Sequence, residues 1–208
     1  MKPITRTTLI VFTTTAFYAT LRYNVFKGVP WSEWPVYVLN KVFALSALLL
    51  LMIYAIQRQR RRSAAESSAR LLPVAWTLML LHAGISLAIL NPAYYTKYFQ
   101  AEKLTWQAGW SMMLGVVAAV GLHKFCRACE LSNPVNLLPK VGILAFLSGF
   151  HAMLLGYAGW FQPATWPGHM IPITLVSFTA GLVALAAALW PHRAEEANRA
   201  GREHRLRF

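Results

Sequence analysis

The chain has 208 residues, 57% hydrophobic and 13% charged, with a mean hydropathy of +0.43. Soluble domains carry about 25% charged and 45–50% apolar residues, so the composition excludes an ordinary cytosolic domain, a disordered chain and a disulfide-stapled secreted fold. The net charge of +13 is compatible with such apolarity only if basic and apolar residues are segregated along the chain.

They are segregated. A membrane span needs roughly 20 mostly apolar residues to cross about 30 Å of hydrocarbon. Six stretches qualify, at about Thr8–Val25, Pro35–Ile56, Leu71–Leu90, Trp106–Leu122, Val141–Phe161 and Met170–Trp190. No alternating strand pattern recurs, which argues against an outer-membrane barrel. The first span follows Lys2 and Arg6 but is closed by no A-x-A site, so it is expected to be retained rather than cleaved. The expected fold is all-α: an integral membrane bundle of six transmembrane helices over residues 1–192, with a basic tail at 193–208.

Cytoplasmic loops retain Lys and Arg, which sets orientation. With the N-terminus inside, the inner segments hold Lys2, Arg6, Arg58, Arg60, Arg61, Arg62, Arg70, Lys124, Arg127, Lys140 and the five tail arginines. The outer segments hold only Lys27, Lys41, Lys97 and Lys103, and Arg22 falls within the first span. Both termini are therefore expected in the cytoplasm, for a multi-pass protein of a bacterial-type inner membrane. The outer loops carry interfacial aromatics, among them Trp31, Trp34, Tyr94, Tyr95, Tyr98, Trp160 and Trp166. Basic residues beside spans attract anionic headgroups at about 1 kcal/mol each, so lipid is the expected partner and nucleic acid is not.

Ionisable groups inside spans are costly and therefore mark function. His82 and His151 are the central ones, with Arg22 nearer an end and no intramembrane Asp or Glu. His82 lies 12 positions past Arg70 and His151 lies 11 past Lys140, both on helices entering from the inside. The two imidazoles thus differ in depth by about 1.5 Å, each about 17 Å from the inner surface. Two neutral imidazoles at one depth supply both axial ligands of a haem iron, whose ring suits an apolar pocket. Ser86 and Ser148 are placed to orient the rings. The alternative is that the histidines only hydrogen-bond between helices, in a structural or assembly subunit without redox function. Two histidines make a poor zinc site, which wants three or four ligands.

Gly142, Gly149 and Gly156 recur every seven residues as a small-residue stripe for close helix packing, angularly away from His151; Gly84 bears the same relation to His82. Arg22 is placed either to meet haem propionates in the outer half or to snorkel to the interface. His169, at the outer end of the sixth span, is a further candidate ligand. His123-x-x-Cys126-x-x-Cys129 in an inner loop is at best a three-ligand metal set or a dithiol, and Glu130 occupies the place a c-type haem motif needs for His. A small transporter is disfavoured because Pro92, Pro139 and Pro172 fall only near span ends.

The stretch Ala69-Arg70-Leu71-Leu72 through Trp76 to Leu81-His82-Ala83 resembles the third helix of ferric-reductase-like transmembrane haem proteins. Leu138-Pro139-Lys140 through Phe150-His151-Ala152 resembles their fifth. Size and layout are similar to the membrane haem subunit of periplasmic methionine-sulfoxide reductase systems. The resemblance implies a b-type haem in the bundle and electron transfer as a subunit of a larger oxidoreductase. Such proteins often carry a second His 13 residues from a ligand, for a second haem. Here those positions are Ala69, Leu138, Tyr95 and Ala164, so a single haem is expected. Electrons are expected from quinol or from a partner redox protein, which makes quinone a second cofactor class open to the chain.

Overall fold

The structure is a computed structural model that describes residues 3–60, 70–131 and 138–190. Arg61, Arg62 and the basic tail 193–208 lie outside the described residues, as do the side chains of residues 128–131, Cys129 among them.

The described residues are almost entirely helical. Helix α1 (Pro3–Thr20) runs on into a π-helical turn, Leu21–Phe26, and Gly28 then turns the chain at a φ of 74°. Two short turns, Trp31–Glu33 and Trp34–Val38, lead directly into α2 (Leu39–Arg60). Next come α3 (Leu71–Ala88), a long loop, α4 (Trp106–Leu131), α5 (Leu138–Gly156), a loop of short 3-10 turns, and α6 (Ile173–Leu189). The loop before α4 carries the small hairpin of β1 (Phe99–Gln100) and β2 (Lys103–Leu104). Its two turn residues, Ala101 and Glu102, both take positive φ, as a tight two-residue hairpin requires.

Among the described residues, five helical stretches are long and apolar enough to cross a membrane: Trp31–Gln59, Leu71–Ala88, Trp106–Arg127, Leu138–Gly159 and Pro167–Leu189. These match the second to sixth stretches read from the sequence. The first forms a helix as expected but falls short as a span, because α1 carries Arg6 and seven threonines among its 18 residues. Thr5, Arg6, Thr13 and Thr14 are exposed, while the polar groups farther along the helix turn inward. Thr15 Oγ1 lies 2.5 Å from Ser46 Oγ on α2, and Trp34 Nε1 donates to Thr20 Oγ1 at 2.8 Å. The Tyr18 hydroxyl donates to the Ile171 carbonyl ahead of α6.

Helix α2 is the hub, packing against α1, α3, α5 and α6. Its Leu48, Leu50, Leu51, Tyr54 and Ala55 form the core with Leu71, Leu72, Leu122 and Val141. The closest pair is α5 with α6, and the glycine stripe is the reason. A Cβ on Gly149 would stand 2.9 Å from the Ser177 carbonyl oxygen, and one on Gly142 would stand 3.1 Å from Leu185 Cα. Gly181 on α6 answers, with backbone atoms of Ala145 and Phe146 at the same close range. Small residues let the backbones meet where lipid offers no hydrophobic drive. Gly84 departs from the expectation: it faces open space and packs against nothing. Helices α3 and α4 touch only lightly. Large apolar side chains such as Leu9, Phe17, Leu87, Val116 and Leu189 point outward around the molecule, as on a lipid-facing surface.

Candidate functional site

A cavity of about 290 Å³ lies between α2, α3, α4, α5 and α6. His82 from α3 and His151 from α5 both line it. Their rings stand 6.3 Å apart between centroids, with planes inclined at 72°. The wall is otherwise mostly apolar, with Leu48, Met79, Met112, Val116 and Ile173 among its members. Leu87 and Val116, which line it on the lightly joined α3–α4 side, are 64% and 62% exposed, so the cavity opens there toward the lipid face.

Each imidazole is held through Nδ1. The His82 Nδ1 lies 2.7 Å from Asn40 Oδ1 on α2. Asn40 is fully buried, and its Nδ2 donates to Ser86 Oγ and to the Tyr95 hydroxyl, both at 2.9 Å. With both amide hydrogens directed to those hydroxyls, Oδ1 is left to accept, so His82 Nδ1 is the donor. His151 is fixed more directly. Its Nδ1 lies 2.6 Å from the Ser111 carbonyl oxygen on α4, and a carbonyl only accepts. The Ser111 hydroxyl returns a bond to the His151 carbonyl at 3.0 Å. Both rings therefore carry a proton on Nδ1, and burial in a largely apolar cavity favours the neutral form, whose Nε2 keeps its lone pair. A hydrogen bond on the far nitrogen is the arrangement that orients a metal-binding imidazole and raises its basicity.

Gly115 completes the His151 seat: a Cβ there would come within 3.2 Å of Nδ1 and 3.3 Å of Cε1. Ser86, expected to orient a ring, reaches His82 only at 3.4 Å and serves Asn40 instead. Ser148, given the same role, donates to the Leu144 carbonyl of its own helix. Asn40 and Ser111 do the work, and the sequence offered no sign of them, because neither stands near a histidine along the chain.

Lys41, counted among the outer charges from the sequence, lines the cavity. Its Nζ sits 4.9 Å from the Tyr37 ring centroid and 5.0 Å from that of Tyr95. Tyr95 and Tyr98 also line the cavity and so serve as more than interfacial anchors. Burial pushes the Tyr98 phenol up to about 12.

The other candidates lie elsewhere. Arg22 is buried, its Nη1 donates to the Met170 carbonyl, and it does not line the cavity. His169 is exposed at the end of the turn Pro167–His169, with a φ of 54°, and likewise stands away from the cavity. His123 stacks against Trp76 at 5.0 Å between centroids, and Cys126 packs beside the buried core. Among the described residues no group of three or more His, Cys, Asp or Glu converges. What does converge is a pair of imidazoles, with one cation at the cavity edge. No family model matches this chain, and no curated protein matches it.

Proposed function

We propose that the chain is a membrane-embedded electron carrier that holds one b-type haem between His82 and His151. One observation carries this reading: two imidazoles share a mostly apolar cavity, each tied through Nδ1 to a neighbouring helix, with centroids 6.3 Å apart. His82 and His151 would hold the iron, and their centroid separation leaves room for one metal ion between the rings. The cavity, at about 290 Å³, falls just below the roughly 300–1,000 Å³ usual for small-molecule sites, and its α3–α4 side, where Leu87 and Val116 are exposed, leaves room for a larger occupant. The residues present thus fit the group. When bound, haem supplies one-electron transfer at a potential set by its ligands and surroundings. The chain supplies neutral ligands of fixed tautomer and a largely apolar wall. As a subunit of a larger oxidoreductase, it would take electrons from quinol or from a partner redox protein.

The same reading makes α1 a sixth span. Its Thr15 and Tyr18, with Arg22 of the turn that follows, are satisfied inside the protein by Ser46, Ile171 and Met170, which removes the main cost of placing polar side chains in lipid. Six spans put both termini on one side, and the Lys and Arg distribution makes that side the cytoplasm of a bacterial-type inner membrane.

A second reading has its own support. Both histidines bond to adjacent helices, His82 to α2 and His151 to α4, as cross-linking histidines of a non-redox structural subunit do. Reduced-minus-oxidised absorbance spectra of the purified protein separate the two. The haem reading expects b-type bands in wild type and their loss in both His82→Ala and His151→Ala. A wild type without haem bands, whose histidine variants merely melt earlier, establishes the structural role instead.

A further inference from the structure

We propose that Lys41 anchors a carboxylate of the bound cofactor, so that the cavity recognises an anionic edge as well as a metal centre. This rests on the haem reading above. Lys41 stands on α2 next to Asn40, the residue that orients His82, and it lines the same cavity as both histidines. Among the described lining residues it alone carries a formal charge, since burial in a largely apolar cavity disfavours a charged imidazole. No carboxylate pairs with it among the described residues; its neighbours are the faces of Tyr37 and Tyr95. An ammonium at membrane depth is costly unless something compensates it, and two aromatic faces compensate it only in part. An occupant with an apolar body, a metal for the imidazoles and a carboxylate at the edge satisfies all three demands of the site. Haem has that distribution, with two propionates on one edge of an apolar ring. Arg22 donates to the Met170 carbonyl and does not line the cavity.

The test compares haem with its dimethyl ester, which keeps the ring and iron but carries no carboxylate charge. Both are titrated into detergent-solubilised protein prepared without cofactor, and binding is read from the absorbance of the bound ligand. Wild type is expected to prefer haem over the ester by roughly tenfold to a hundredfold, the range given by a hydrogen bond between charged groups. Lys41→Met is expected to bind the two with equal affinity, and Lys41→Arg to restore the preference. The midpoint potential of Lys41→Met is expected to fall, because an uncompensated carboxylate favours the ferric state. Comparing two cofactors on wild type keeps the test independent of whether a variant folds. Equal affinity of wild type for haem and ester overturns the assignment of Lys41 and leaves the haem reading standing, as does an unchanged preference in Lys41→Met. A wild type that takes up neither cofactor overturns both.

Discussion

His151 and Ser111 are joined twice: the imidazole Nδ1 reaches the Ser111 carbonyl at 2.6 Å, and the Ser111 hydroxyl donates to the His151 carbonyl at 3.0 Å. One bond sets the ring, and the other ties α5 to α4. The Ser111 hydroxyl also lies 3.0 Å from Nδ1, but the shorter bond that sets the ring goes to the backbone carbonyl and does not involve the serine side chain. Ser111→Ala is expected to cost about 1 kcal/mol of stability, a typical neutral hydrogen bond, while the ring keeps its orientation. Denaturant unfolding in detergent reads the first effect. An unchanged haem-to-protein ratio reads the second, and loss of haem in Ser111→Ala counts against this division of labour.

The seat beneath the ring is tighter. Gly115→Ala places a methyl group 3.2 Å from His151 Nδ1, where the ring must give by a few tenths of an ångström. Lower haem occupancy is expected in Gly115→Ala, and none in Gly115→Val. Gly84→Ala, which meets open space, is the matched control and should load as wild type does. The haem-to-protein ratio after purification decides.

Asn40 is the corresponding support for His82. Partners of this kind typically contribute 10–100-fold in metal affinity, so Asn40→Leu is expected to weaken haem binding by about that factor. Asn40→Asp retains an acceptor for Nδ1 and should bind more tightly than Asn40→Leu. Titration of the two variants with haem ranks them, and equal affinities would remove Asn40 from the site.

Much of the frame was legible in the sequence, and the reason is physical. Span-length apolar runs have few alternatives to a helix in lipid, so five of the six expected spans appear with the required length and apolarity. That His82 and His151 stand at corresponding heights on their helices was legible from residue rise, and in the structure the two rings line one cavity. What periodicity does not encode is which neighbouring helix faces a given ring. Asn40, Ser111 and Gly115 meet the histidines only through tertiary packing. Lys41 was hidden for a related reason: near the end of a span, a lysine reads equally as snorkelling outward or turning inward. Gly84 shows the converse, since a helical spacing that packs on α5 finds nothing to pack against on α3.

The α5–α6 contact is held at backbone distance, with the Ser177 carbonyl oxygen 2.9 Å from where a Gly149 Cβ would stand. Backbone cannot swing aside as a side chain can. Gly149→Ala is expected to destabilise by about 1–3 kcal/mol, as overpacking does, and Gly149→Leu to prevent folding. Unfolding followed in detergent measures both.

Alkaline pH tests the outer loop. Burial holds the Tyr98 phenol up at about 12, against an ordinary 10.0. The folded chain keeps this proton where the unfolded chain releases it, so the contribution is intact below pH 10 and is lost as the pH rises toward 12. Tyr98→Phe has no such proton and should show a shallower fall in melting temperature across that window, followed by circular dichroism.

The two ring clamps have a joint consequence. His82 on α3 is bolted to α2, and His151 on α5 is bolted to α4. The gap between the rings is thereby a gauge whose jaws are mounted on four different helices. Whatever spans that gap registers any sliding or tilting among the four, so its spectrum would report the mechanical state of the bundle as well as its charge.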